Sequence, residues 1–325
     1  MIRISAKISF VLKAVLLVLL LGFVFRSIDF AQVRTTIDQL PWWYFALVVL
    51  YRIVLLLVVA LRWWIVSPEA RFKRLLRVTF SSQHLILLVP SGVTADAVRI
   101  WSVRSDPSGI AGNIGAIVTD KIVGLAALLL CFGLSGLMAD LPPDLGPLLQ
   151  MPALLSLSGG VTVFGVLYVN AGQRVHNYVL GSKLGKIIAS KLPASIVDLS
   201  SRALLAGSDI SRLRLIVNVC TAILYQLLII YGYWLMSQVF SFQLSIGQML
   251  FISSLVQIVM LFPVSIAGIG LKDVSLVYTL GLFGVENSVA LSASLSEYPV
   301  SIAFAVFSWT LSSMSLHKRE NSLGL

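Results

Sequence analysis

The sequence predicts an all-α protein that crosses a membrane several times. Of its 325 residues, 58% are hydrophobic and 12% are charged, which is about half the charged share of an ordinary soluble domain. Several apolar runs reach the roughly 20 residues that a helix needs to cross a bilayer. The runs are continuous rather than alternating, so they predict helices and not the strands of a barrel. We expect one integral membrane domain over residues 1–325.

Six of the apolar runs are long enough to be full spans. The first follows a basic N-terminus and resembles a signal peptide, but no small-residue cleavage site follows it, so we expect it to be retained. The second begins with Trp42, Trp43 and Tyr44, which are typical interface anchors. The predicted spans lie at about 8–25, 41–66, 114–138, 148–169, 214–239 and 288–314.

Two further apolar stretches are interrupted. The stretch 80–99 has about a dozen apolar residues before Pro90 and Gly92, a length that suggests a re-entrant segment. The stretch 247–285 is broken in its middle by Pro263, Gly268 and Gly270, and Ser265 between them is a further candidate for the substrate path. The sequence leaves open whether this second stretch is re-entrant or forms two full spans.

The distribution of basic residues predicts the orientation in the membrane. The net charge is +10, and the basic residues collect in the loops between spans, as the positive-inside rule expects. If 80–99 does not cross, both termini and the basic region 170–213 fall on the cytoplasmic side of the inner membrane. We expect 170–213 to form amphipathic helices on anionic head groups, so the charge requires no nucleic acid partner.

Each interrupted stretch also carries an acid close to a base. The pairs are Asp96 with Arg99 and Lys272 with Asp273, and in the predicted topology the two stretches enter from opposite sides. Oppositely oriented broken helices are typical of transporters with inverted repeats, whose half-helix ends face a substrate site near the midplane. Two Pro/Gly kinks with charged loops are the alternative interpretation.

Four more charges lie inside predicted spans, where each costs roughly 2.5–3.5 kcal/mol at the bilayer centre. Asp120 and Lys121 lie in the third span and are further candidates for the substrate path. Arg52 and Glu297 both fall near mid-membrane by helical rise, so we predict that they can pair. Ion pairs that only fix the helix register are the alternative.

The residues above resemble the membrane domain of lysylphosphatidylglycerol synthases and the standalone flippase-like proteins built on it. The resemblance rests on Pro90 to Gly92 with Asp96 and Arg99, on Asp120 with Lys121, on 263–270 with Lys272 and Asp273, and on Arg62 with Trp63. It covers essentially the whole chain. Ala95 stands where the family usually has glycine, Lys121 and Lys272 replace arginines, and Asp273 replaces a glutamate.

The resemblance implies movement of a lipid or lipid-linked head group across the membrane. No part of the sequence resembles the soluble aminoacyl-transfer domain of the synthases, so we expect translocation without lipid aminoacylation, and no enzyme activity, metal or cofactor. The expected partners are membrane lipids, anionic or sugar-linked, and a membrane transferase. Two alternatives are a scaffold for a separate glycosyl- or aminoacyl-transferase and, less well supported, an intramembrane lipid-modifying enzyme.

The predicted topology can be tested by cysteine labelling in intact cells. In a background in which Cys131 and Cys220 are replaced by alanine, Lys186→Cys should react with an impermeant maleimide only after permeabilisation. Asp140→Cys, in a loop predicted to lie outside, is the control and should react in intact cells. Labelling of the cysteine at position 186 in intact cells would overturn the topology.

Overall fold

The computed structural model describes residues 30–67, 69–84, 93–104, 109–143, 146–168, 210–261 and 270–323, and every regular element in these ranges is an α-helix. In chain order the helices are α1 (Phe30–Asp38), α2 (Trp42–Val66), α3 (Phe72–Ser81), α4 (Val93–Ser102), α5 (Gly109–Met138), α6 (Gly146–Tyr168), α7 (Arg212–Val239), α8 (Ile246–Met260), α9 (Leu271–Gly281), α10 (Asn287–Leu295) and α11 (Glu297–Leu323). The predicted first span and residues 170–209 of the predicted 170–213 region lie outside the described residues.

Five stretches of the described chain are long and apolar enough to span a membrane: Trp42–Val66, Gly109–Met138, Leu148–Leu167, Arg212–Val239 and Asn287–Leu311. Five of the six predicted spans fall within the described residues, and these five stretches confirm them. The last of them is not one continuous helix, because α10 ends at Leu295 and α11 begins at Glu297. The all-helical, multi-pass architecture is therefore as predicted.

The two helices α5 and α6 pack antiparallel through small residues. A Cβ atom at Gly133 would lie 2.4 Å from the Leu157 Cβ, and one at Gly136 would lie 2.6 Å from the Ala153 Cβ. Lipid provides no hydrophobic driving force between helices, so close backbone approach through small residues supplies the packing energy instead. These glycines therefore set the distance between α5 and α6.

Helix α2 runs antiparallel to α7. The Tyr51 hydroxyl donates to the Leu228 carbonyl at 3.1 Å, and the Tyr44 ring lies edge-on to Phe240 with centroids 6.0 Å apart. The end of α2 at Val66 packs with Ile117 in the first turns of α5. The bundle thus has two ends, called here the Val66 end and the Met138 end.

The interrupted stretch 247–285 forms a re-entrant hairpin that opens at the Met138 end. At the start of α8, a Cβ on Gly247 would lie 2.2 Å from the Met138 carbonyl oxygen, and Phe283, after α9, packs in one cluster with Ala139. With 15 and 11 residues, the two helices are about 22 and 16 Å long, too short for a core of about 30 Å. In the structure, the stretch 247–285 is therefore re-entrant and does not form two full spans.

The first interrupted stretch opens at the other end of the bundle. Phe72, at the start of α3, packs against Trp64 with ring centroids 5.9 Å apart, and the Arg74 guanidinium donates to the carbonyl of Ser102 at the end of α4. Both outer ends of this α3–α4 hairpin therefore lie at the Val66 end. The two hairpins open in opposite directions, as predicted. Pro90, Gly92, Pro263, Ser265 and Gly268 lie outside the described residues.

The contact between α5 and α6 predicts that alanine at two glycine positions changes the stability of the protein by different amounts. Gly133→Ala should lower the free energy of unfolding by about 1–3 kcal/mol, since the new methyl group overlaps the backbone of Leu157. Gly159→Ala on α6 has nothing within 4 Å of the new Cβ and should be neutral or stabilising. Thermal unfolding in detergent measures both variants. Equal midpoints would contradict the packing described here.

Candidate functional site

Described residues from both hairpins line one cavity in the bundle. It has a volume of about 500 Å³ and lies between α2, α7 and the two hairpins. Its wall is mainly apolar, with a minority of polar groups: Tyr44, Tyr51, Arg52, Gln83, Tyr225, Tyr233, Gln257, Lys272 and Glu297. Gln83 follows α3 and Lys272 lies in the first turn of α9, so both hairpins contribute. A concave apolar pocket with a few convergent polar groups is the usual form of a ligand site.

An ion pair between Lys272 and Glu297 forms part of the cavity wall. The Lys272 ammonium binds a carboxylate oxygen of Glu297, and each side chain is about one-third exposed. Lys272 lies in the first turn of α9, and Glu297 is the first residue of α11. The pair therefore ties the second hairpin to the last span while remaining accessible from the cavity.

The predicted pair of Arg52 with Glu297 is not the contact that the structure forms. Arg52 donates from Nη1 to the Ser301 hydroxyl at 2.8 Å, and its guanidinium lies 5.7 Å from the centre of the Phe304 ring. Both arginine and glutamate nevertheless line the same cavity. The predicted partner was wrong because the first turn of α9 brings Lys272 to the carboxylate.

Asp273 is bound entirely within the protein. It is 6% exposed and accepts hydrogen bonds from the Gly270 amide at 2.9 Å, the Ser294 hydroxyl at 2.5 Å and the Tyr298 hydroxyl at 2.6 Å. Gly270 has a φ of +82°, which glycine adopts without a Cβ penalty. Asp273 does not line the cavity, although the sequence placed it on the substrate path. Its contacts hold the first turn of α9 against α10 and α11.

A second cluster of charges lies toward the Val66 end. Arg62 donates to the Asp120 carboxylate at 3.0 Å and to its carbonyl at 2.9 Å, while Asp96 binds Arg99 at 3.2 Å and Lys121 at 2.9 Å. The structure thus brings together the four predicted residues of this region and adds Arg62. Lys121, with a side chain 60% exposed, is its most accessible member.

Tyr225 connects the charged cluster to the cavity. It lines the cavity, and its ring centre lies 5.8 Å from the Arg62 guanidinium carbon. Close by, Gly124 leaves room for Arg62, since a Cβ there would lie 2.9 Å from Nη2. Sequence reasoning missed Tyr225, Gln83 and Gln257 because it followed charges alone. Polar residues within apolar runs were the signal that could have found them.

The described residues offer no alternative centre for metal chemistry. Within the ranges that the structure describes, no three His, Cys, Asp or Glu residues are grouped closely enough to hold a metal ion. Cys131 and Cys220 are both free. The cavity and the adjacent charged cluster are the candidate site on the contacts given above.

The fold and the site together define a polytopic helical membrane protein in which opposed re-entrant hairpins meet at a central cavity. Residues 10–297 match the family model described as the lysylphosphatidylglycerol synthase TM region. The chain belongs to this family, which confirms the resemblance found in the sequence and supports a function connected with membrane lipids. Searches among curated proteins and among solved structures each give no match.

The contacts of Asp273 predict a structural role for Tyr298. Tyr298→Phe removes one donor to a buried carboxylate and should lower the free energy of unfolding by about 1.5–3 kcal/mol. Tyr278→Phe is the control, because Tyr278 on α9 is 55% exposed. Thermal unfolding in detergent should show a fall for the first variant only. An unchanged midpoint for Tyr298→Phe would contradict the assigned role.

Proposed function

We propose that the chain moves a lipid or lipid-linked head group across the cytoplasmic membrane, as a flippase-like transporter that leaves the lipid chemically unchanged. The observation that carries the proposal is the meeting of two opposed re-entrant hairpins at a cavity with charged groups in its wall. In transporters, such interrupted helices place polar backbone and side chains at the midplane, where a substrate site can form.

The dimensions of the cavity support a path for a head group. Its lining residues on α2 run from Tyr44 to Val59, which is about 22 Å of helix against a hydrocarbon core of about 30 Å. Arg62, less than one turn beyond Val59, begins the charged cluster at the Val66 end. A head group can use these polar groups while its acyl or prenyl tails stay in lipid.

The accessibility of several charges supports a role in transport, because a purely structural role would not require these charges to be exposed. Lys272 and Glu297 are paired but partly exposed in the cavity wall, and Lys121 is exposed beside Asp96. Charges that served only to fix helix register would be expected to be sealed between helices, as Asp273 is. In the proposed orientation the Val66 end is cytoplasmic, so Lys121 and Arg99 lie where a cytoplasmic head group enters.

The proposal predicts that neutralising the cationic groups slows lipid movement without unfolding the protein. In liposomes holding the purified chain and a panel of labelled lipids, Lys272→Gln and Arg99→Gln should each slow movement about tenfold or more, since the loss of about 1.4 kcal/mol of charge compensation is tenfold in rate. Arg34→Gln, which changes a side chain 84% exposed, should move lipid at the unchanged rate.

A double variant separates transport from stability. Lys272→Gln leaves Glu297 without its counter-charge and should lower the detergent unfolding midpoint, whereas Lys272→Gln with Glu297→Gln should partly restore it. Neither should recover transport. Normal lipid movement by well-folded Lys272→Gln and Arg99→Gln proteins would refute the path, and failure of the unaltered chain to move any lipid would favour the scaffold. A changed lipid product would indicate an enzyme.

A further inference from the structure

We propose that the cavity selects a lipid head group with one net negative charge and that Arg52 is the residue that binds it. This inference rests on the proposed function and names the substrate class of the same site. It follows from the balance of charges in the cavity wall, from the hydrogen-bonding groups that Arg52 has free, and from its depth.

The cavity wall carries one surplus positive charge. Its ionisable groups at neutral pH are Arg52, Lys272 and Glu297 among the described lining residues, so two cations face one carboxylate. Lys272 and Glu297 compensate each other directly. The segments that complete the two hairpins, 85–92 and 262–269, contain no charged residue in the sequence. Among the described lining residues, none is therefore left to balance the charge on Arg52.

Arg52 has donors to offer a ligand. Of the five N–H groups of a guanidinium, the described structure uses one, from Nη1 to Ser301. No nitrogen of Arg52 is among the described polar atoms that are buried without a partner, so its remaining donors keep accessible surface, and Arg52 lines the cavity. A guanidinium binds the two oxygens of a phosphodiester side by side, which an ammonium cannot do.

The depth of Arg52 prevents water from compensating its charge easily. It stands ten residues after Trp42 and fourteen before Val66 on α2, about 15 and 21 Å from the two ends of the span. A head group with one negative charge makes the occupied cavity neutral. A zwitterionic head group leaves the surplus positive charge, and a doubly charged phosphate leaves a surplus negative charge, and either is costly in a medium of low dielectric.

Ligand-dependent stabilisation of the purified full chain tests this selection without requiring transport. Unfolding midpoints in detergent at pH 9 are compared with dioctanoyl-phosphatidylglycerol, with dioctanoyl-phosphatidylcholine, and with dioctanoyl-phosphatidic acid, whose phosphate then carries two charges. A ligand that binds only the folded state raises the midpoint in proportion to its affinity. The unaltered chain should bind the phosphatidylglycerol at least tenfold more tightly than either of the others.

Two variants shift the charge balance in known directions, and a third keeps the charge but replaces the guanidinium. Arg52→Gln makes the wall neutral and should abolish the preference for phosphatidylglycerol, whereas Arg52→Lys should keep the preference with weaker binding. Glu297→Gln leaves two cations and should shift the preference to phosphatidic acid. Arg34→Gln, which changes an exposed side chain that does not line the cavity, should behave as the unaltered chain. If Arg52→Gln does not fold, the other two variants still test the inference.

The outcomes separate this inference from the proposed function. Equal affinity of the unaltered chain for the three lipids, or a tenfold preference that survives Arg52→Gln, would overturn the charge selection even if liposomes show transport. Inorganic phosphate that stabilises the chain as strongly as phosphatidylglycerol would show that the ligand is a free anion and not a lipid. Selective binding without any movement in liposomes would support the site and refute the transporter.

Discussion

Hydrocarbon supplies neither hydrogen bonds nor counter-ions, and the interrupted helices of this bundle must find both inside the protein. The first turn of α9 shows how this is done. The Asp273 carboxylate accepts hydrogen bonds from the Gly270 amide at the start of its own helix, and from the hydroxyls of Ser294 on α10 and Tyr298 on α11. A short helix that ends within the membrane is thereby held by the last span. Without such partners its exposed backbone amides would be costly at this depth.

The charges of the bundle differ in how completely they are satisfied. Asp273 has three donors and is sealed from the cavity, and the Arg62 guanidinium has both the carboxylate and the carbonyl of Asp120. Arg52 and the Lys272–Glu297 pair keep surface in the cavity. A fully satisfied charge fixes the fold, because breaking its contacts is expensive. A partly satisfied one can exchange partners at lower cost, so these are the groups on which the proposed function depends.

The parts of this architecture that follow from one-dimensional properties of the chain could be predicted. Apolar length predicted the five described spans, and short runs broken by proline and glycine predicted two interrupted elements of opposite orientation. The partner of Glu297 could not be predicted, because helical rise gives the depth of Arg52 but not the direction in which it points. The cavity was missed for the same reason, since Gln83, Tyr225 and Gln257 come together only through packing. The break between α10 and α11 was missed although Pro299 follows it, since a proline ring clashes with the carbonyl four residues earlier, here that of Leu295.

The separation of the charges along α2 bears on how a head group could cross. The cavity and the charged cluster together extend along about 27 Å of α2, from Tyr44 past Arg52 to Arg62. This length is nearly the thickness of the hydrocarbon core. One charged site at the midplane would leave a barrier on each side of it. Here Tyr225 lines the same cavity as Arg52, and its ring contacts Arg62 of the charged cluster. In the proposed function the desolvation of the head group is divided into smaller steps, and each step begins and ends next to a group that can bind it.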